Sequence, residues 1–112
     1  MNVLKLSYDN QADRLTARLQ GTRATNTVEI RRDKVRLTID RSDKQVTAFD
    51  IEDFSHFVSY HLLGELFGEE VIRGLAAFQS AVTSTSQRTR TLPFAAPPPS
   101  GRRVINELLR AA

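Results

Sequence analysis

The chain has 112 residues, of which 40% are apolar and 26% are charged. This length supplies one modest hydrophobic core, and the apolar content excludes a wholly disordered chain. The absence of cysteine excludes disulfide bonds and thiolate metal sites, and no apolar run approaches the ~20 residues that a membrane-spanning helix requires. We therefore expect a cytoplasmic protein with one folded domain and an appendage.

Residues 3–52 alternate apolar and polar side chains with a period of two, which indicates strands with one buried face. The alternation comes in five runs, separated by short turn-forming segments. The apolar positions are Leu4, Leu6, Tyr8, Leu15, Ala17, Leu19, Val28, Ile30, Val35, Leu37, Ile39, Phe49 and Ile51. Short turns between such strands favour antiparallel pairing, so we predict a five-stranded β-meander with one dry face.

After Ile51 the apolar spacing becomes helical. A first helix is predicted to begin at Asp53 or Ser55 and to end at Gly64 or Gly68. Its apolar stripe contains Phe54, Phe57, Val58, His61 and Leu62. A second helix is predicted from Glu69 to about Val82. One or two helices would then cover one face of the sheet, which makes residues 1–82 a single domain of the α+β class.

The predicted helices carry more apolar surface than the dry face of five strands can cover. A surplus of this kind is typical of self-association, so we predict a homodimer with a two-fold axis. The expected oligomer interface contains Leu63, Phe67, Val71, Ile72, Leu75 and Phe78.

The C-terminal region differs in composition and charge from the rest. Residues 83–101 are rich in proline, serine and threonine and are predicted to form a linker. Residues 102–112 are predicted to form a short amphipathic docking helix, because such a helix is marginal on its own. Its expected partner-binding residues are Val104, Ile105, Leu108 and Leu109. The target could be the chain's own body, a twin subunit or another protein.

The basic charge is concentrated in the same region, since residues 71–112 contain six arginines and one acid, Glu107. Possible anion contacts are Arg88, Arg90, Arg102 and Arg103.

The first turn and the strands after it resemble a bacterial family called Domain of Unknown Function 2283. The matching residues are Tyr8, Asp9, Ala12, Asp13, Leu15, Thr27, Val28, Glu29, the strand from Val35 to Asp40, and Ala48-Phe49-Asp50-Ile51. Lys44 and Ala48 depart from the family pattern, which tends to have glycine there. The resemblance covers residues 3–55; it implies the β-rich fold and no catalytic residues.

Several carboxylates could in principle converge into a metal or acid/base site. They are Asp9, Asp13, Asp50, Glu52 and Asp53. Turn formation and helix capping are the favoured interpretation of these residues. His61 and Glu65 have helical spacing for two metal ligands but lack a third. We predict no cofactor and no metal site, and the sequence shows no nucleophile elbow or glycine-rich phosphate loop.

These patterns favour a noncatalytic protein–protein interaction module that self-associates and docks through its C-terminal helix. The alternative is a nucleic-acid-binding or antitoxin-like regulator that uses arginines of the tail and of the exposed sheet face, such as Arg14, Arg18 and Arg36. A third hypothesis is a metal-dependent enzyme built on Asp9, Asp13 and Asp50.

Overall fold

The computed structural model describes residues 2–21, 26–94 and 99–111. The strands are β1 (Asn2–Asp9), β2 (Arg14–Leu19), β3 (Thr27–Arg32), β4 (Val35–Asp40), β5 (Gln45–Glu52) and β6 (Thr89–Phe94). A 3-10 turn spans Phe54–His56, and the α-helices are α1 (His61–Phe67), α2 (Glu69–Ser84) and α3 (Pro99–Ala111). The α+β class and the antiparallel sheet predicted from the sequence are confirmed.

The six strands form one sheet in the order β3-β4-β5-β2-β1-β6, and every neighbouring pair is antiparallel. The predicted five-stranded meander is therefore wrong in two respects, because the sheet of the described residues has six strands and β5 lies between β2 and β4. Alternation predicts which face of a strand is buried but carries no information about its neighbour. None of the residues of β5 is fully exposed, as suits a central strand.

The hydrophobic core lies between the dry face of the sheet and the three helices. Phe49 of β5 contacts Phe67 of α1, with ring centroids 5.4 Å apart, and Phe67 meets the edge of Phe94 of β6 at 5.7 Å. Phe54 and Phe78 bring the 3-10 turn against α2 at 6.1 Å. These aromatic contacts join the N-terminal strands, the helices and β6 into one core.

The segment after β5 differs from the predicted first helix. A single 3-10 turn spans Phe54–His56, the backbone of Phe57 is extended, and helix α1 begins only at His61. Gln79 of α2 stabilises this break, because its Nε2 donates to the Phe54 and Phe57 carbonyls at 2.6 and 2.7 Å. Val58, predicted on the buried stripe, is 82% exposed.

Strand β6 lies inside the segment predicted as a linker. Its residues pair with β1 from Asn2↔Phe94 to Ser7↔Thr89, and the Tyr8 N–H donates to the Arg88 carbonyl at 2.8 Å. The linker prediction is therefore wrong for Thr89–Phe94. Residues 83 and 84 are also helical, as the end of α2, and residues 95–98 lie outside the described residues.

Helix α3 packs on α1 and β5 of its own chain. Gly101 makes the close approach possible, because a Cβ there would lie 3.0 Å from the Glu65 carbonyl oxygen and 3.1 Å from that of Leu66. Ile105 and Leu108 are each only 7% exposed, whereas Val104 and Leu109 are half-buried. The predicted partner-binding face of this helix thus contacts its own body.

The residues predicted as an oligomer interface also lie in this core. Five are buried within one chain, and Ile72 is half-buried: the buried five are Leu63, Phe67, Val71, Leu75 and Phe78. The prediction of self-association assumes five strands and two helices, whereas β6 and α3 add cover within the same chain. An interface through these side chains would require the fold to open.

Candidate interaction surfaces

Asp13 joins the β1–β2 turn to the 3-10 turn. Its carboxylate accepts hydrogen bonds from the Ser55 hydroxyl at 2.6 Å, the Ser55 N–H at 3.0 Å and the Tyr8 hydroxyl at 2.7 Å. Burial opposes ionisation of Asp13, but these hydrogen bonds outweigh it and hold the pKa of the carboxyl below its ordinary value. Burial and the hydrogen bond to Asp13 raise the pKa of Tyr8 to about 12. This arrangement is a structural cross-link.

The same cluster contains a serine, a histidine and an aspartate, but their order is not that of a catalytic triad. Ser55 Oγ lies 3.0 Å from His56 Nδ1 and donates its hydrogen to Asp13. In a triad the histidine stands between the serine and the carboxylate and removes the serine proton. Here the serine occupies the middle position, so the imidazole is not oriented by Asp13 and the arrangement does not make Ser55 a nucleophile.

The other candidate carboxylates each have a different partner. Asp9 accepts from the Gln11 N–H at 3.0 Å within its own turn, which is the predicted turn-forming role. The remaining three pair with cations, in the contacts Arg36–Asp50 at 2.6 Å, Arg31–Glu52 at 2.8 Å and Lys34–Asp53 at 2.8 Å. The predicted helix cap by Asp53 is wrong, since its side chain makes no capping hydrogen bond to the 3-10 turn. Hydrogen bonding to these carboxylates raises the pKa of Arg36 and of Lys34. Within residues 2–21, 26–94 and 99–111, no three potential ligands converge as a metal site.

His61 and Glu65, the candidate ligand pair on a helix, are in contact along α1, with His61 Nε2 2.8 Å from Glu65 Oε1. A histidine–carboxylate contact of this kind satisfies both groups without a metal.

The tail arginines do not form one anion site. Arg90 lies on the helical side of β6, where its guanidinium stands 5.6 Å from the Phe78 ring centroid and donates to Gln87 at 3.1 Å. Arg88 donates to the Asn10 side chain at 2.9 Å. Arg102 and Arg103 are exposed on α3. The four charges predicted as anion contacts are thus divided between two elements.

The face of the sheet opposite the helices, which we call the open face, has no layer over it in the described chain. It carries Lys5, Ser7, Arg14, Thr16, Arg18, Glu29, Arg31, Arg36, Thr38, Ala48, Asp50, Glu52, Thr89 and Thr91. Two ion pairs cross between its strands, Arg31 with Glu52 and Arg36 with Asp50. The open face and the two edge strands are therefore candidate surfaces for a partner.

Comparison with protein-family models, with curated proteins and with solved structures found no match to this chain. The resemblance over residues 3–55 stays a prediction, and the proposals below rest on geometry.

None of the helices within the described residues combines the length and apolar character needed to cross a bilayer.

Proposed function

We propose that the protein is a noncatalytic protein–protein interaction module that self-associates through the edge of strand β3. The observation that supports this most strongly is the run of backbone groups along that edge that have no partner strand within the described residues. An edge strand with unpaired N–H and C=O groups is a template on which a strand of another chain can add.

The hydrogen-bond pattern identifies the groups that point outward. The Arg41 N–H donates to the Asn26 carbonyl at 2.9 Å, so even-numbered residues of β3 exchange hydrogen bonds with β4 in the register Val28↔Ile39 and Ile30↔Leu37. The backbone groups of Thr27, Glu29 and Arg31 consequently face away from the sheet. The strand has no proline at these positions, so all three can donate.

Charge complementarity selects a second copy of this chain as the occupant. In a two-fold antiparallel pair, Glu29 of each copy would lie opposite Arg31 of the other copy, which gives two cross-strand ion pairs. Arg31 would then contact Glu29 of the second copy in addition to Glu52 of its own chain, to which it is bonded at 2.8 Å. Ile30 then lies opposite its own copy on the dry face. Shifting the register so that Glu29 faces itself would place like charges together. Glu29 has no ion pair in the described chain, which leaves its carboxylate available.

The helical layer is a poorer candidate for self-association. Five of the six residues predicted as an interface there are buried in the single chain, and α3 packs on α1. A partner that docked through α3 would first have to displace it from its own body.

A charge-exchange experiment tests this proposal. Either Glu29→Arg or Arg31→Glu alone would place like charges opposite each other at both Glu29–Arg31 contacts of the dimer. Each single variant should therefore shift the protein from dimer to monomer. The double exchange should restore the dimer, because the opposite charges are re-formed. The measurement is the sedimentation equilibrium mass over a range of protein concentration.

The matched control is Glu70→Arg, an equal charge change on the exposed start of α2, far from the edge. It should leave the mass distribution unchanged. A monomeric wild-type protein at every concentration, or a double variant no more dimeric than the singles, would refute self-association through this edge.

A further inference from the structure

We propose that the open face contains a binding site for a phosphate group, in a groove over β2, β1 and β6. The groove has a volume of about 360 Å³. Eight residues line it. The side chains of Leu6 and Arg90 lie on the helical side of the sheet, and the other six residues form two cross-strand rows: Thr91, Lys5 and Arg18 in the first row, and Thr89, Ser7 and Thr16 in the second. The site is distinct from the β3 edge, which lies at the other end of the sheet.

The two cations are placed directly opposite each other. Lys5 and Arg18 are cross-strand partners in the β1–β2 register. The Gln20 N–H donates to the Val3 carbonyl at 2.9 Å, so odd-numbered residues of β1 form the hydrogen-bonded pairs with β2, whose Cα atoms lie about 5.5 Å apart. Like charges at this separation on one face destabilise the sheet. A bound anion between them removes that repulsion.

No carboxylate of the described residues neutralises this pair. Neither Lys5 nor Arg18 has an ion pair or a side-chain hydrogen bond within residues 2–21, 26–94 and 99–111. On the neighbouring strand β5, Asp50 lies opposite Thr16. Its carboxylate is already paired with Arg36, with an N–O distance of 2.6 Å. Asp9 accepts from the Gln11 N–H in its own turn. The groove is therefore a local positive site on a sheet whose other charges are largely paired.

The hydroxyl groups add the donors that a tetrahedral oxyanion requires. Ser7, Thr16, Thr89 and Thr91 have no side-chain hydrogen bond inside the described chain, so their hydroxyls are free to donate. Arg18 offers a planar fork of N–H groups, and Lys5 offers a compact ammonium. The ligand class that fits two cations and several short donors is a phosphate group, either on a small molecule or as a phosphodiester. The groove lacks aromatic side chains, so bases would not stack in it.

The experiment is a titration of the full chain with inorganic phosphate at constant ionic strength. Binding is monitored by the NMR chemical shifts of the backbone amides. The expected result is a saturable shift at residues 5, 7, 16, 18, 89 and 91. Lys5→Gln and Arg18→Gln should each weaken binding by about tenfold, because each removes a charge-assisted contact. Arg103→Gln, an exposed arginine on α3, should leave the affinity unchanged.

A second titration, with a thymidine oligonucleotide, distinguishes the two sources of phosphate. Tighter binding of the oligonucleotide at the same residues identifies a phosphodiester ligand, and binding of inorganic phosphate alone identifies a small ligand. The proposal would be overturned if chloride caused shifts as large as those caused by phosphate. It would also be overturned if Lys5→Gln and Arg103→Gln lowered the affinity for phosphate by the same factor.

Discussion

Asp13 shows how one side chain connects distant parts of the sequence. Its backbone is left-handed, with φ 50°, a conformation that aspartate and asparagine tolerate better than other residues with a side chain. Its carboxylate reaches Ser55, 42 residues away. The sequence predicted that Asp13 would close its turn, but not the bond to Ser55, because local pattern carries no information about which segment arrives beside a turn.

Replacing Asp13 tests this cross-link. Asp13→Ala should lower the free energy of unfolding by about 2 kcal/mol, because it leaves the half-buried Ser55 and Tyr8 donors without their acceptor. The measurement is urea denaturation at neutral pH. Asp43→Asn, at an exposed turn position, is the control and should change stability little.

The same residue gives a pH dependence with a defined sign. Since the folded pKa of Asp13 is lowered, its contribution is complete above the unfolded pKa of about 3.9 and is lost as the pH falls through the folded value. Asp13→Asn should therefore flatten the acid limb of the stability curve. An identical acid limb in wild type and variant would contradict this account.

At the level of elements, alternation predicted β1 to β5 but missed β6. Thr89, Thr91 and Pro93 face outward while Leu92 and Phe94 face the core, but Arg90 occupies an inward position and hides the pattern. The Phe78 ring and Gln87 accommodate its guanidinium. The inward position of Arg90 could not be predicted from local sequence, because its partners lie elsewhere in the chain. They are Phe78 of α2 and Gln87 in the segment before β6.

The contact of α3 with α1 depends on close approach at Gly101. Gly101→Ala should be less stable than Gly64→Ala by about 1–3 kcal/mol, because the new Cβ meets two backbone carbonyls of α1 that cannot move independently. At Gly64 the added Cβ would lie 3.5 Å from Ile72, an ordinary contact, and alanine favours the helix. Thermal denaturation of the two variants measures the difference. Equal melting temperatures would show that α3 can move away from α1 without loss of stability.

For the whole molecule, the C-terminal 30 residues complete the domain. They supply the last strand and the third helix, and Phe94, Ile105 and Leu108 belong to the core. Composition suggested a linker and a tether because proline, serine and threonine outnumber apolar residues there. Leu92, Val104 and Leu109 also pack against this core, so the positions of these few apolar residues matter more than their number.

Deletion of residues 83–112 measures this contribution. The truncated chain should lose cooperative unfolding and bind a hydrophobic dye, because it exposes the β1 edge and the surfaces of α1 that contact α3. Deletion of residues 111 and 112 alone is the control and should keep the wild-type transition. A cooperative transition with an unchanged midpoint in the long deletion would mean that residues 83–112 are dispensable.

The two edges of the sheet differ in a way that limits how far strand addition can extend. On β6 the Tyr8–Arg88 bond places the odd-numbered backbone groups outward, and one of these residues is Pro93, which has no N–H to donate. Proline at this position hinders strand addition along the β6 edge. If two chains join through β3 as proposed, the pair presents only its β6 edges to further molecules, and we expect it to remain a closed pair instead of growing into a fibril.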